Sequence, residues 1–193
     1  MIVKWVYFPD NLKLIGLKSI RVHMRERILQ MERVWAPWRM EYILNQKSER
    51  CVFCIDDAPD DRERLIVHRT PLSFVMLNRY PYTNGHLLIA PRRHTADLNE
   101  LGNEELLDLF ATVRLAGNVL QSVAKPQGFN IGMNLGKAAG AGVDEHLHMH
   151  IVPRWNGDTN YMTVLADVRV MPENLAATYD HVAEGFARVL GAT

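Results

Sequence analysis

The sequence lacks several features that would assign it to a specialised class. Its 193 residues include only two cysteines, which excludes a disulfide framework. No apolar run reaches the ~20 residues that a membrane-spanning helix needs, so we expect no membrane partner. Basic and acidic residues number 22 each, so no net positive field could hold a nucleic-acid backbone. A phosphate-bearing ligand would therefore be bound by a few local donors.

The first 30 residues differ in composition from the rest. Their apolar patch is interrupted by Pro9 and Asp10, which makes a poor secretory signal. We therefore predict a cytoplasmic protein, in which thiols stay reduced. Because the segment from Met31 resembles a natural start, we divide the chain into an N-terminal extension (1–30) and a main domain (31–193). The extension is either dispensable or a short ordered arm that packs on the domain or on a partner.

The rest of the chain contains regular patterns of apolar residues that indicate secondary structure. Helical spacing marks residues 103–123, with Asn103 as a plausible N-cap and Leu107, Phe110 and Val113 on the apolar face. A second helix is predicted over residues 175–190. Short apolar runs predict strands over residues 72–77, 86–90, 127–135 and 145–152.

The most informative segment contains His146, His148 and His150 in strict alternation. In a strand these three side chains share one face, while the intervening apolar residues point to the core. Three charged imidazoles would repel one another, so we expect largely neutral rings that can accept protons, bind a metal or attack phosphorus. The alternatives are three surface histidines on a half-exposed strand and a pure metal site.

A loop rich in glycine and alanine, residues 136–142, precedes the histidines. It carries little bulk, so the backbone N–H groups at Gly140 and Gly142 could approach an anion closely. The loop is neither a Walker loop nor a dinucleotide-binding fingerprint. Alone it would be read as a flexible turn, but it leads directly into the histidine segment.

These residues resemble the histidine-triad (HIT) family. The family motif of three histidines alternating with apolar residues is matched over residues 146–152. A second signature segment is matched over residues 78–94, and the two occur in the expected order. The resemblance covers roughly residues 35–190, and residues 153–161 are most similar to bacterial diadenosine tetraphosphate phosphorylase-like members.

The resemblance implies an α+β fold with an antiparallel sheet of about five strands and two main helices. It also implies a homodimer that binds a purine nucleotide or a dinucleoside polyphosphate. In the family the middle histidine, here His148, attacks the α-phosphate and forms a nucleotidyl-histidine intermediate. His150 would stabilise the developing charge and His86 would lie near the same phosphate.

The resemblance also assigns nucleotide contacts and reveals one departure. Asn78 matches a position that usually contacts the ribose, and Asn134 matches one near the α-phosphate. Hydrolase-type members carry Gln, Ser or Thr three or four positions before the first histidine, whereas this chain has Val143 and Gly142. The open loop favours a phosphorylase, which must admit inorganic phosphate. A hydrolase that releases AMP from dinucleoside polyphosphates or nucleoside phosphoramidates, and a non-catalytic nucleotide-binding dimer, remain the alternatives.

Cys51 and Cys54 have the spacing of half a tetrahedral zinc site. Taken alone, the pair could equally be two reduced core cysteines or, with less support, a redox pair. Some family members complete such a site with the residues that correspond to His94 and His146. The resemblance thus implies a structural zinc bound by Cys51, Cys54, His94 and His146, which would brace the segment that carries His148.

Overall fold

The computed structural model describes residues 51–55, 60–158 and 173–191. All of them belong to one unit by their internal contacts. The predicted extension (1–30) and the start of the predicted domain at residue 31 lie outside the described residues. No described helix has the length and apolar character that crossing a bilayer requires.

The described elements alternate short strands with two long helices. The strands are β1 (Ile66–Arg69), β2 (Ser73–Leu77), β3 (Leu87–Pro91), β4 (Gly128–Met133) and β5 (Met149–Arg154). The helices are α1 (Asp61–Arg64), α2 (Asn103–Val123) and α3 (Leu175–Val189), with single 3-10 turns at Leu98–Glu100 and Lys137–Ala139.

The five strands form one antiparallel sheet in the order β1-β2-β3-β5-β4. Alternate side chains of β3 pack on opposite faces of the sheet. Leu87 and Ile89 join the main core together with residues of α2 and α3. Leu88 and Ala90 point to the opposite face, where they pack with Phe53. The expected α+β fold, with a five-stranded antiparallel sheet and two main helices, is confirmed.

Helix α2 has the predicted bounds, but its start and its buried face differ from the prediction. The N-cap is Gly102, whose N–H donates to the Glu105 carboxylate at 2.9 Å, so Asn103 is the first helical residue. Val113 is buried as predicted, but Leu107 and Phe110 are 73% and 56% exposed, and the buried stripe runs through positions 109, 113, 116 and 120. Both stripes have helical spacing, and packing on the sheet selects the second.

The strand predicted over 145–152 begins only at Met149 and continues past Pro153 to Arg154. Its ladder with β3 ends at the Ile89–Met149 pair. Pro91 has no N–H to extend that ladder, and its carbonyl accepts a hydrogen bond from His146 Nε2 at 2.9 Å. The Leu147 N–H donates to the Thr95 carbonyl at 2.7 Å. His146 and His148 therefore lie in a segment anchored just before the strand.

Candidate functional site

The three predicted catalytic histidines lie together on the sheet face opposite the long helices. His150 pairs with Leu88 in the β3–β5 register, and His148 lies two residues earlier. His86 precedes β3, where a turn at Gly85 (φ 74°) leads the chain into the strand. The His86 side chain is fully buried, and its Nε2 is 2.9 Å from Nδ1 of His150. The ring centroids of His148 and His150 are 5.0 Å apart.

A backbone carbonyl determines the tautomer of His148. Its Nδ1 is 2.9 Å from the carbonyl oxygen of His146. A carbonyl can only accept, so Nδ1 carries the proton and, in the neutral ring, the lone pair is on Nε2. Nε2 is therefore the ring nitrogen with a free lone pair.

A second chain of hydrogen bonds determines the protonation of His86 and His150. The Tyr82 backbone N–H donates to His86 Nδ1 at 3.1 Å, so His86 must carry its proton on Nε2. That N–H donates to His150 Nδ1, which leaves the His150 proton on its own Nε2. His150 Nε2 is buried and has no partner among the described residues. A buried donor in this position is suited to an anionic oxygen of a ligand.

The surroundings keep all of these rings neutral. Burial, with the neighbouring histidines His150 and His148 adding to it, lowers the pKa of His86 to about 3. Burial, together with the charge of His148, lowers the pKa of His150 to about 4. Burial also lowers the pKa of His148, against the opposing effect of the His146 carbonyl. The expectation of neutral imidazoles near pH 7 therefore has a physical basis in burial.

Two aromatic side chains that the sequence reasoning missed flank the histidines. Phe53 is 2% exposed and stacks on His148 at a centroid distance of 4.6 Å. Tyr82 lies against His86 at 4.7 Å and stacks on His150 at 5.9 Å. Phe53 lies between the two cysteines, and Tyr82 lies within the signature segment 78–94. Their position in those motifs was the signal that could have identified them.

Asn78, expected to contact a ribose, also supports the histidine chain. Its side-chain Nδ2 is 3.2 Å from His86 Nδ1, and its Oδ1 accepts from the Tyr80 N–H at 2.9 Å. Because His86 Nδ1 is the acceptor, the Asn78 amide donates to it. Asn78 thus helps to fix the same tautomer as the Tyr82 N–H.

The other expected nucleotide contacts lie around the end of β4. Met133 pairs with Met149, and Asn134 and His148 are the residues next to that pair, just outside the two strands. The loop that follows contains the 3-10 turn Lys137–Ala139, bounded by Gly136 and Gly140 with φ of 79° and 89°. Gly140 and Gly142 are exposed, and a Cβ added at Gly140 would meet no atom within 4 Å. Glycine is required there for its conformation, since the space around it is open.

The predicted metal ligands Cys51, Cys54, His94 and His146 converge, with donor atoms all within 4.8 Å of one another. The sulfur–nitrogen separations are 3.2 Å for Cys54 to His94 Nδ1, and 3.5 and 3.9 Å for Cys51 and Cys54 to His146 Nδ1. Tetrahedral zinc with ordinary bond lengths would place sulfur and nitrogen about 3.5 Å apart.

The ring orientation of His146 also suits a metal. Its Nε2 contacts the Pro91 carbonyl and therefore carries the proton, which directs the Nδ1 lone pair at the two sulfur atoms. Burial raises the pKa of the Cys51 thiol, with the charge of Cys54 adding to the shift, so thiolates here need a cation beside them. The four side chains fit a tetrahedral Cys₂His₂ centre.

Comparisons with known proteins give relatives over most of the chain. An AP-4-A phosphorylase of Mycobacterium tuberculosis is 38% identical over 168 residues, which cover 82% of this chain and 86% of the relative. An asymmetrical bis(5'-nucleosyl)-tetraphosphatase of Schizosaccharomyces pombe is 36% identical over 59% of this chain and 63% of its own.

Solved structures show the same fold. A histidine triad nucleotide-binding protein of Sulfolobus tokodaii has a TM-score of 0.57 at 26% identity, over 72% of this chain and 93% of its own. A Zn-bound histidine triad protein of Mycobacterium smegmatis has a TM-score of 0.55 at 25% identity, over 67% and 88%. The HIT domain model matches residues 61–157. Together with the buried histidine cluster, these matches show that the chain belongs to the histidine triad family.

Proposed function

We propose that the protein is a nucleotidyl-transferring enzyme that cleaves dinucleoside polyphosphates through a nucleotidyl-histidine intermediate. The observation that carries this proposal is the pair of fixed tautomers. His148 presents a free Nε2 lone pair, and His150 presents a buried Nε2–H without a partner among the described residues. A nucleophile and a donor on adjacent rings are what in-line attack on a phosphate requires.

In the first step His148 Nε2 forms a bond to the α-phosphorus, and the bond from that phosphorus to the bridging oxygen breaks. With diadenosine tetraphosphate the leaving group is ATP, and an adenylyl group remains on the histidine. The His150 N–H would stabilise the negative charge that develops on the phosphoryl oxygens. His86 acts through His150, because it holds the ring in the tautomer that donates.

In the second step an incoming oxygen attacks the same phosphorus and releases His148. If that oxygen belongs to inorganic phosphate the product is ADP, whereas water gives AMP. Two observations favour phosphate. The Mycobacterium tuberculosis relative, which overlaps 82% of this chain, is an AP-4-A phosphorylase. In addition, positions 142 and 143 offer glycine and valine, where hydrolase-type members carry a polar side chain.

The nucleotide would lie between the histidines and the end of β4. Asn134, the residue after the Met133–Met149 pair, would contact the α-phosphate, and the backbone of Gly140 and Gly142 could follow the phosphate chain. The Asn78 amide already donates to His86 through Nδ2. A ribose hydroxyl would therefore have to share its Oδ1, which accepts from Tyr80.

Product analysis tests this function. Purified protein is incubated with diadenosine tetraphosphate, with and without inorganic phosphate, beside a His148→Ala variant. We expect ADP and ATP only when phosphate is present, and no turnover by the variant although its nucleotide affinity stays within a few-fold. AMP release without phosphate would instead identify a hydrolase. Nucleotide binding without any turnover by the wild type would identify a non-catalytic binder.

We also propose that Cys51, Cys54, His94 and His146 hold a structural zinc ion. The support is the convergence of two sulfur and two imidazole donors at separations that suit tetrahedral coordination. Zinc would supply cross-linking of the Cys51–Cys54 turn to the segment that carries His148, without taking part in the reaction. Metal analysis of protein purified without an affinity tag should give about one zinc per chain. A zinc content near zero would contradict this assignment.

We also propose a cytoplasmic location. Reduced thiols, which zinc binding at this site requires, persist in that compartment.

A second copy of the chain is the partner that we propose for the β4 edge of the sheet. Among the described strands, β4 lies at one end of the order. Its Ile131, paired with the core residue Ile151, lies on the helix side of the sheet and is 49% exposed. Leu107 and Phe110 add an exposed apolar face on α2. Pairing of two such surfaces would cover both.

Light scattering after gel filtration tests the homodimer. Phe110→Glu should convert it to a monomer, because a charge would be buried at the interface. Val189→Glu is the matched control, since Val189 is also exposed, at 43%, but lies on α3. A dimer that survives Phe110→Glu would contradict this interface.

A further inference from the structure

The nucleophile ring has an aromatic wall on one of its faces. Phe53 stacks on His148 with ring centroids 4.6 Å apart and planes inclined by 24°. The same phenyl ring lies 5.5 Å from His146 in a tilted arrangement. Phe53 is buried with Ile66, Phe74, Leu88 and Ala90 on the site face of the sheet.

A tight turn presents this phenyl ring. The Cys54 N–H donates to the Cys51 carbonyl at 3.1 Å, which closes a turn around Val52 and Phe53. The Arg64 guanidinium donates to the Val52 and Cys54 carbonyls at 3.3 and 3.0 Å and ties the turn to α1. The backbone of Phe53 is thus held by the hydrogen bond that closes its own turn and by the bonds to α1.

We propose that Phe53 is a positioning residue that fixes the plane of the His148 ring for attack, an inference that rests on the proposed function. The bond from Nδ1 to the His146 carbonyl fixes one edge of the imidazole but allows the ring to tilt about that edge. The Phe53 ring, packed against the face of the imidazole, prevents that tilt. Nucleophilic attack is sensitive to such misalignment, because the Nε2 lone pair must point along the line of the breaking bond.

Two other roles for Phe53 make different predictions. If the ring contacted the nucleotide base, its loss would raise KM at unchanged kcat. If it only filled the core, its loss would lower stability, and other buried phenylalanines of the same cluster would behave alike. Phe74 provides that comparison, because it is fully buried in the same cluster and has no ring contact with a histidine among the described residues.

The experiment compares Phe53→Leu with Phe74→Leu in the full chain. We expect Phe53→Leu to lower kcat about five- to tenfold with KM within twofold, a size that the loss of one aromatic pair allows. Phe74→Leu should leave kcat within twofold, even if both variants unfold at lower temperature. Equal kcat values for the two variants, or a raised KM at unchanged kcat for Phe53→Leu, would overturn the proposal.

Proton–nitrogen-15 correlation spectra of the histidine rings, which report the ring-proton shifts, keep the proposal testable if no turnover is found. Absence of turnover in the wild type would refute the proposed function alone. In the wild type the His148 ring protons should show the upfield shift of a stacked aromatic face. That shift should be lost in Phe53→Leu and kept in Phe74→Leu. An unchanged His148 spectrum in Phe53→Leu would refute the positioning role.

Two additional variants guard against a folding defect in Phe53→Leu. Phe53→Met fills the same space with an unbranched apolar side chain but removes the flat ring, so it should show the same fall in kcat. Arg64→Met removes the ties to the Val52 and Cys54 carbonyls and should lower kcat in the same direction by a smaller factor. Wild-type kcat in both variants would contradict the proposal.

Discussion

Replacement of His86 by leucine should change how the stability of the protein depends on pH. His86 is fully buried, and burial with the neighbouring histidines lowers its pKa to about 3 from an ordinary value of 6.5. The unfolded chain takes up a proton near pH 6.5, but the folded chain does not. The wild type therefore loses stability as the pH falls below 6.5, and the loss continues until His86 titrates in the folded state.

The size of this effect follows from the pKa difference. As the pH falls from 7 to 5, the excess of protons that the unfolded state binds at this site rises from about a quarter to almost one. This linkage lowers the free energy of unfolding by about 2 kcal/mol over that interval. Leucine does not titrate, so the variant lacks this contribution. At pH 7 the variant should be less stable by about 1–3 kcal/mol, because the Tyr82 N–H and His150 Nδ1 lose their partner.

Urea unfolding of the wild type and His86→Leu at pH 7 and pH 5 measures the effect. The stability gap between the two proteins should narrow by about 2 kcal/mol at the lower pH. Groups that do not contact His86 are present in both proteins and cancel in the comparison. A gap that is the same at both pH values would show that His86 is not held neutral by burial.

Three further predictions concern other parts of the molecule. Gly185→Ala would place its Cβ 2.7 and 2.9 Å from two valines of α2, and it should lower the free energy of unfolding by about 1–3 kcal/mol. The control Gly117→Ala has open space around it and should leave that free energy unchanged or raise it when both variants are unfolded by heat. Cys51→Ser should abolish stoichiometric zinc and lower the Tm, whereas unchanged zinc content would refute the ligand assignment. Burial lowers the pKa of His148, so the acidic limb of the kcat/KM profile should fall below pH 6.5, and a limb above that value would contradict a neutral buried nucleophile.

Patterns among neighbouring residues predicted those parts of the fold that depend only on neighbouring residues. The bounds of α2 followed from apolar periodicity, because twenty-one residues with helical spacing leave little ambiguity. The buried face of α2 did not follow, since the stripe through Leu107 and Phe110 has the same spacing as the stripe that packs on the sheet. Only the sheet, assembled from distant strands, distinguishes the two.

The histidine site was predictable in its residues but not in its contacts. Alternation placed His146, His148 and His150 on one face even though the ladder begins only at Met149. The resemblance supplied His86 as the fourth member. Phe53 and His148 are 95 positions apart, so their contact could not be predicted from the residue pattern within either segment.

The backbone supplies the protonation pattern that makes these four histidines different from one another. Carbonyls of His146 and Pro91 determine the tautomers of His148 and His146, and the Tyr82 N–H determines that of His86. Any residue at position 82 other than proline would offer the same N–H. His150 takes its tautomer from His86, which is itself fixed by a backbone group. Under the proposed function, identical side chains thus serve as a nucleophile, a donor and a metal ligand. A substitution that shifts the backbone without touching a histidine should therefore change the reaction as much as the loss of one ring.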